Sequence, residues 1–226
     1  MANNLDLEEQ EQLDQLKHFW IQYGNLITWA LILVLGAFAG WNLYQRWQQS
    51  QSSQASALYD EVERVAKAGD LAKLDRVMAD MKDKFSGTTY AHQAALMSAK
   101  VYFAAGKTEQ AASALNWVAE KSSDEGYQAI ARLRLAAVLM ETKALDEAYK
   151  LLSGTFPIEF AALVADRKGD IFSLQGKKAE ARAEYEKAYK TMGERVEYRQ
   201  LVEVKLNGLG VNPRANASVA AIEGKK

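Results

Sequence analysis

The chain has 226 residues with 28 basic and 29 acidic side chains, so its overall charge is close to neutral. Residues 1–18 carry five acidic side chains against one lysine, and the other 27 basic and 24 acidic side chains are scattered. This balance excludes the clustered basic face of a nucleic-acid-binding protein. The absence of cysteine excludes disulfides and thiolate metal sites. Two prolines, with abundant Ala, Glu, Lys, Leu and Gln, predict an all-α fold.

A membrane-spanning helix with interfacial flanks is predicted at residues 19–47. No residue from 19 to 45 carries a formal charge, and residues 25–44 form a predominantly apolar window. Such a helix is about 30 Å long, which matches the hydrocarbon core of a bilayer. Aromatic side chains suited to the membrane interface stand at both ends, with Trp20 and Tyr23 at one end and Trp41, Tyr44 and Trp47 at the other.

The sequence favours a retained anchor over a cleaved signal peptide. Residues 37–39, Ala-Phe-Ala, have the small-x-small pattern of a cleavage site, but a signal peptide begins with a basic region. Residues 1–18 are acidic here, and their leucines have the spacing of a short amphipathic helix. The charges do not decide the orientation, because Lys17 and Arg46 place one basic side chain near each end of the span.

Gly36 and Gly40 lie on one face of the predicted membrane helix. Small residues at this spacing let a second membrane helix approach closely. The partner could be another protein or a second copy of the chain, so a homo-oligomer stays open. Glycine is also common in membrane helices that make no such contact, and this alternative stays open too.

Residues 58–210 predict a tetratricopeptide-like repeat domain, which residues 48–57 join to the span as a linker or as an extension of the helix. The turns of four helix pairs stand at Gly69, Gly106, Lys143 and Gly176, at offsets of 37, 37 and 33 residues. A period near 34 is typical of tetratricopeptide repeats. Small residues recur where the helices of a pair would cross, at Ala99, Ala136 and Gly169 in first helices and Ala111, Ala148 and Ala181 in second helices.

The repeat domain is predicted to end in a capping helix within residues 194–206. Val196, Leu201 and Val204 form its apolar stripe. Residues 211–226 are small and polar, and the sequence predicts a disordered tail there.

The sequence predicts no catalytic activity. His18 and His92 are far apart and have no neighbouring ligand residues, so both are expected at the surface and not in a metal or catalytic site. Residues 169–178 resemble a phosphate-binding loop, but the glycine spacing is too long and Lys178 replaces the required Ser or Thr. We therefore expect no catalytic residue, no cofactor and no metal.

Protein binding is the function that remains, because repeat arrays build a concave surface from the first helix of each pair. Methionine and arginine suit adaptable contacts with peptides. The alternative is that the apolar members of this surface pack against neighbouring helices. The repeat register places seven side chains on it: Met97, Lys100, Phe103, Arg134, Met140, Arg167 and Asp170.

Together these features resemble the ancillary SecYEG translocon subunit family. The resemblance covers roughly residues 8–210, and its most specific part is ALVADRKGDIFSLQGKKAEAR, residues 162–182. It implies a single-pass protein of the bacterial inner membrane, with a cytoplasmic N-terminus and a periplasmic repeat domain. It also implies association with Sec translocon subunits and with periplasmic chaperones.

Two functional hypotheses follow. The first is an adaptor at the Sec translocon that links secreted chains to periplasmic chaperones. The second is a membrane-tethered repeat scaffold of another envelope-assembly or signalling complex, in which the repeats recruit a different partner. Co-purification in mild detergent separates them, because each predicts a different set of recovered proteins.

Overall fold

The computed structural model describes residues 7–214, with side chains from Glu11 onward. In that range it contains nine α-helices, one 3₁₀ helix and no strand, so the all-α prediction is confirmed there. The helices are α1 (Leu7–Ala68), α2 (Leu71–Phe85), α3 (Thr89–Ala104), α4 (Thr108–Lys121), α5 (Glu125–Glu141), α6 (Leu145–Leu152), α7 (Ala161–Leu174), α8 (Lys178–Thr191) and α9 (Tyr198–Gly208), and the 3₁₀ helix is Ile158–Phe160.

The chain divides into two compact units, residues 1–53 and 54–226, and each is described by itself. The described part of the first unit belongs to α1. From Glu11 onward, α1 is long and apolar enough to cross a membrane, and none of its apolar window is buried. Residues 48–57 are helical, so α1 continues through the segment for which the sequence left two interpretations. Residues 1–6 of the predicted acidic helix lie outside the described residues.

The second unit is a stack of helix pairs followed by a single last helix. Each helix from α2 to α8 packs against the next one along the chain. The first helices of successive pairs also touch, because α3 contacts α5 and α5 contacts α7. This pattern is that of a repeat array in which each unit is stabilised by its neighbours.

Small buried residues mark the crossing of the two helices in each pair. Ala99 and Ala136 are buried at the predicted positions of α3 and α5, and Gly169 takes the same place in α7. A methyl group added at Gly169 would lie 2.5 Å from ring atoms of Tyr185, because the aromatic ring occupies the space that a side chain would need. The second helices present Ala111, Ala148 and Ala181, all fully buried.

Three of the four turns share one helix-ending motif. Gly106, Lys143 and Gly176 all have a positive φ, between 64° and 75°. After each, the next backbone N–H donates to the carbonyl five residues earlier, as in Lys107 to Tyr102 at 2.8 Å and Ala144 to Leu139 at 2.8 Å. This is the Schellman arrangement, whose left-handed position favours glycine. Lys143 is the only described residue other than glycine with a positive φ, so the third turn carries strain that the others avoid.

The end of the repeat domain differs from the predicted capping helix. α9 begins at Tyr198, and Val196, Leu201 and Val204 are exposed. The buried side chains of α9 are Val202 and Leu206. The prediction of the stripe was wrong because it counted apolar residues alone, whereas the inward face of α9 also carries a lysine and a tyrosine that bind buried carboxylates. Packing continues to Val211, and residues 215–226 of the predicted tail lie outside the described residues.

Replacing Lys143 with glycine should stabilise the repeat domain. A side chain in the left-handed region destabilises the folded state by about 1–3 kcal/mol. Glycine removes this strain, but its greater freedom stabilises the unfolded chain by about 0.4–1 kcal/mol, which offsets part of the gain. We expect a net gain of about 0.5–1 kcal/mol, measured by urea unfolding of the detergent-solubilised chain. The reverse change at the matched position, Gly106→Ala, should destabilise by about 1 kcal/mol. Equal stability of both variants and the parent chain would contradict the assigned turn geometry.

Gly169→Ala should destabilise the domain by about 1–3 kcal/mol, because the new methyl group collides with the Tyr185 ring. The matched control is Gly208→Ala, also in a helix, where an added methyl group meets nothing within 4 Å. Both substitutions improve helix propensity, so the control should be neutral or stabilising by up to about 1 kcal/mol. Thermal unfolding of the two variants separates the effect of the contact with Tyr185 from that of helix propensity. A Gly169→Ala protein as stable as the parent chain would refute the close approach of α7 and α8.

A candidate partner-binding groove

A mostly apolar groove lies between α3 and α5 and encloses about 240 Å³. Lys100 and Phe103 stand on the α3 wall, and Arg134 stands on the α5 wall. Phe103 is 43% exposed, which leaves its ring available to a ligand. The rest of the lining is apolar and comes from three helices: Leu96 and Ala99 of α3, Leu115 of α4, and Ala137 and Val138 of α5.

The structure brings together three of the seven side chains that the sequence placed on the concave surface. These are Lys100, Phe103 and Arg134, which all line the groove. Met97 is partly buried against the core formed by residues 55–138, and Met140 packs against a smaller cluster around Ile171. Both methionines therefore follow the packing alternative.

Arg167 and Asp170, the last two of the seven, belong to an ion network at the other end of the domain. Their side chains pair with each other at 3.2 Å, between Nη1 and Oδ2. Asp170 Oδ1 also accepts a hydrogen bond from the Tyr185 hydroxyl at 2.8 Å and forms an ion pair with Lys205 Nζ at 2.7 Å. The carboxylate of Asp170 is thus occupied by α8 and α9, and the prediction that it lines an open groove was wrong.

The centre of this network is Asp166, which is 1% exposed. Its carboxylate accepts one hydrogen bond from Lys205 Nζ at 2.7 Å and another from the Tyr198 hydroxyl at 2.8 Å. Lys205 therefore bridges Asp166 and Asp170, and α9 is held to α7 by charge as well as by apolar packing. A buried carboxylate needs such partners, because an unpaired charge in the interior is costly.

Burial raises the pKa of the Tyr198 and Tyr185 hydroxyls above the ordinary value, and their hydrogen bonds to Asp166 and Asp170 raise it further. Both tyrosines therefore stay protonated and act as donors to the carboxylates over the whole physiological range. Tyr185, Tyr198 and Lys205 therefore donate to carboxylates that are fixed in place, which suits a structural lock.

Sequence reasoning missed Asp166, although a signal was present. In the repeat register, Asp166 stands where the earlier repeats have Leu96 and Leu133. A carboxylate at an apolar position of the repeat indicates a buried partner elsewhere in the chain. The sequence does not say which cation that is, because Lys205 lies 39 positions away in a helix with its own register.

His92 was expected at the surface and is instead buried, at 3% exposure. Its ring lies against Trp117 and Tyr127, with centroids 5.5 Å and 6.2 Å away. Burial lowers the pKa of His92, so the imidazole is neutral at pH 7. The prediction was wrong because it used only the sequence neighbours of His92, whereas the aromatic rings come from α4 and α5. Within the described part of the chain, no group of three or more His, Asp or Glu side chains is placed to hold a metal ion.

The predicted contact residues in the apolar part of α1 touch no other part of the described chain closely. An added methyl group at Gly36 or Gly40 would meet nothing within 4 Å, so the helix itself does not require glycine there. Trp20, Tyr23, Trp41, Tyr44 and Trp47 are all exposed on α1. At the second aromatic end, the rings of Trp41, Tyr44 and Trp47 follow one another at centroid distances of 6.4 Å and 6.1 Å.

The stacked helix pairs and an N-terminal helix long and apolar enough to cross a membrane define a class of protein: a tetratricopeptide-like repeat protein with a candidate membrane span. A family model described as a tetratricopeptide repeat-like domain matches residues 17–211. The chain is 32% identical over 204 residues to a protein of Neisseria gonorrhoeae named ancillary SecYEG translocon subunit, covering 90% of this chain and 98% of that protein.

Two further proteins with the same name are similar over almost their whole length. The Haemophilus influenzae protein is 33% identical over 203 residues, which are 90% of this chain and 98% of that protein. The Escherichia coli protein is 29% identical over 206 residues, which are 90% of this chain and 97% of that protein. The chain belongs to the ancillary SecYEG translocon subunit family, as the resemblance of its sequence indicated.

Lys205→Met should destabilise the repeat domain by about 3–5 kcal/mol, because it leaves the buried Asp166 carboxylate without its cation. Urea unfolding of the full chain measures this loss. Arg182→Met is the matched control, since it removes an exposed pair with Glu186 and should cost no more than about 1 kcal/mol. Adding Asp166→Leu to Lys205→Met should recover much of the stability. Equal effects of Lys205→Met and Arg182→Met would show that the network is not a lock.

Proposed function

We propose that this protein is a membrane-anchored adaptor at the Sec translocon. The observation that carries the proposal is that the similarity to proteins named ancillary SecYEG translocon subunit spans nearly their full length, and so includes both the apolar helix and the repeats. A chain with this architecture has two separate contact surfaces, one in the bilayer and one in water. An adaptor needs such a pair of surfaces, and an enzyme does not.

The repeat domain supplies the surface in water. Its groove between α3 and α5 has an apolar lining with a cation on each wall, which suits a polypeptide ligand. We propose that the proteins recruited there include periplasmic chaperones that receive secreted chains. This places the function in protein transport and protein–protein interaction, with no catalytic step assigned to the chain.

We further propose that the N-terminus is cytoplasmic and the repeat domain periplasmic, with α1 crossing the inner membrane once. The support is the resemblance to the family, since the basic residues flanking the span are balanced. The proteins that cross-link to the repeat domain identify its side, because cytoplasmic and periplasmic partners are different sets. Recovery of cytoplasmic proteins alone would overturn this orientation.

The first unit supplies the surface in the bilayer. Gly36 and Gly40 lie on one helix face with nothing within 4 Å of an added methyl group, so a partner helix can approach there. We propose that this face packs against a membrane helix of the translocon.

Purification of the full chain in mild detergent tests the proposal, with the recovered proteins identified by mass spectrometry. We expect translocon subunits with the parent chain and a several-fold loss with Gly36→Ile plus Gly40→Ile, because such helix contacts are worth about 1–2 kcal/mol. The control, Val34→Ile plus Phe38→Ile, puts isoleucine at the same spacing on the opposite face and should recover as much as the parent chain. Thermal unfolding of the repeat domain should be the same in all three proteins.

Two results would count against the proposal in different ways. If the parent chain recovers another envelope complex and no translocon subunit, the adaptor function is refuted and the scaffold alternative is favoured. If translocon subunits are recovered equally with the glycine variant, the function stands and the glycine face is not the contact.

A further inference from the structure

We propose that the groove between α3 and α5 binds a segment of a partner protein in which acidic side chains flank one large apolar side chain. This inference rests on the proposed adaptor function and gives the chemistry of its ligand. It depends on three observations: the size and lining of the groove, two cations that lack partners in the described chain, and the contacts that already occupy two equivalent side chains of the next repeat.

The groove is large enough for one large side chain. It encloses about 240 Å³, whereas an apolar cavity of about 150 Å³ holds a benzene molecule. Leu96, Leu115 and Val138 are almost fully buried and form an apolar surface that water covers poorly. The exposed ring of Phe103 adds an aromatic edge against which an aliphatic or aromatic ligand side chain can pack.

Lys100 and Arg134 place one cation on each wall, and neither pairs with a residue between Glu11 and Arg214. The residues three and four positions away from them on their own helices are all apolar: Leu96, Met97, Phe103 and Ala104 for Lys100, and Ile130, Ala131, Ala137 and Val138 for Arg134. Five other cations pair with a carboxylate on their own helix, as Arg64–Glu61, Lys67–Glu63, Lys84–Asp80, Arg167–Asp170 and Arg182–Glu186. The groove is therefore electrostatically incomplete, and a ligand with a carboxylate at each side would complete it.

At the equivalent junction between α5 and α7, two counterparts of the groove residues already have contacts within the domain. In the repeat register Lys100 corresponds to Ala137 and then to Asp170, and Asp170 is held by Tyr185, Lys205 and Arg167. Met140, the counterpart of Phe103, packs into the cluster around Ile171. The side chains that remain free to contact a ligand are those of the groove between α3 and α5.

A partner protein fits this surface better than a second copy of the chain. The acidic leucine-containing residues 5–14 have the required chemistry, whereas the apolar side chains of the similar stretches 60–63 and 80–83, Val62 and Met81, are buried in the core. In the proposed topology residues 5–14 lie on the other side of the membrane from the groove. Occupation by another copy therefore needs a different arrangement, which the experiment below detects.

The test is selection from a random peptide display library on the full chain in nanodiscs, with empty nanodiscs as background. We expect enrichment of peptides that carry Asp or Glu on both sides of Leu, Ile, Met, Phe or Trp. The double variant Lys100→Glu plus Arg134→Glu should instead enrich peptides with Lys or Arg at those places. Binding of the parent-selected peptide should weaken about tenfold or more in the double variant and in Phe103→Ala, a change of about 1.4 kcal/mol.

The matched control is Lys107→Glu plus Arg195→Glu, which makes the same charge change at exposed sites outside the groove and should enrich the parent motif. Helical content and thermal unfolding of every variant verify that each one folds. The proposal would be overturned if the parent and the groove variant enriched the same sequences, or if neither enriched any. Peptides that match residues 5–14 would also overturn it, because they would show that a second copy of the chain occupies the groove. If the inference fails while translocon subunits still co-purify, the adaptor function stands.

Discussion

The helices of each repeat can approach closely only where a side chain is a methyl group or absent. Ala99 with Ala111, Ala136 with Ala148, and Gly169 with Ala181 provide such places in three successive pairs. Close packing at these points sets the distance and the crossing angle of the two helices in each pair. This arrangement lets the first helices of neighbouring pairs touch, as α3 touches α5 and α5 touches α7. The groove is a consequence, since its two walls are the first helices of neighbouring pairs.

Within residues 11–214, charged side chains are paired at the C-terminal end of the domain and unpaired at the groove. At the C-terminal end, Lys205 pairs with both Asp166 and Asp170, and two tyrosine hydroxyls donate hydrogen bonds to the same carboxylates. These polar contacts hold α9 on α7. At the groove, two cations stand beside apolar side chains without a partner in the described chain. The sequence segment most specific to the family, residues 162–182, contains Asp166, Gly169 and Asp170. These three residues contact α8 and α9, so the main role of the segment is to pack the last repeat.

The fold could be predicted from local sequence because its determinants are local. Glycine at the turns, small residues at the crossings and an uncharged span are each visible in one short window, and Lys143 kept the left-handed turn because its neighbours supply the same hydrogen bonds as at Gly106. The site was predicted in part. Lys100, Phe103 and Arg134 were found from the register, but Asp170 was misplaced because its partners lie in α8 and α9. The exposed Val204 and the buried His92 were missed for the same reason: tertiary partners, and not local pattern, decided their positions.

The central claim is that the groove between α3 and α5 is where this adaptor meets its partner proteins. Photo-cross-linking in intact cells tests it most directly, with a photoreactive residue at Phe103 and, for comparison, at Leu174, which is exposed at the end of α7. The account predicts adducts with specific envelope proteins from position 103, and few or none from position 174. Identical adducts from both positions, or none from position 103, would contradict it.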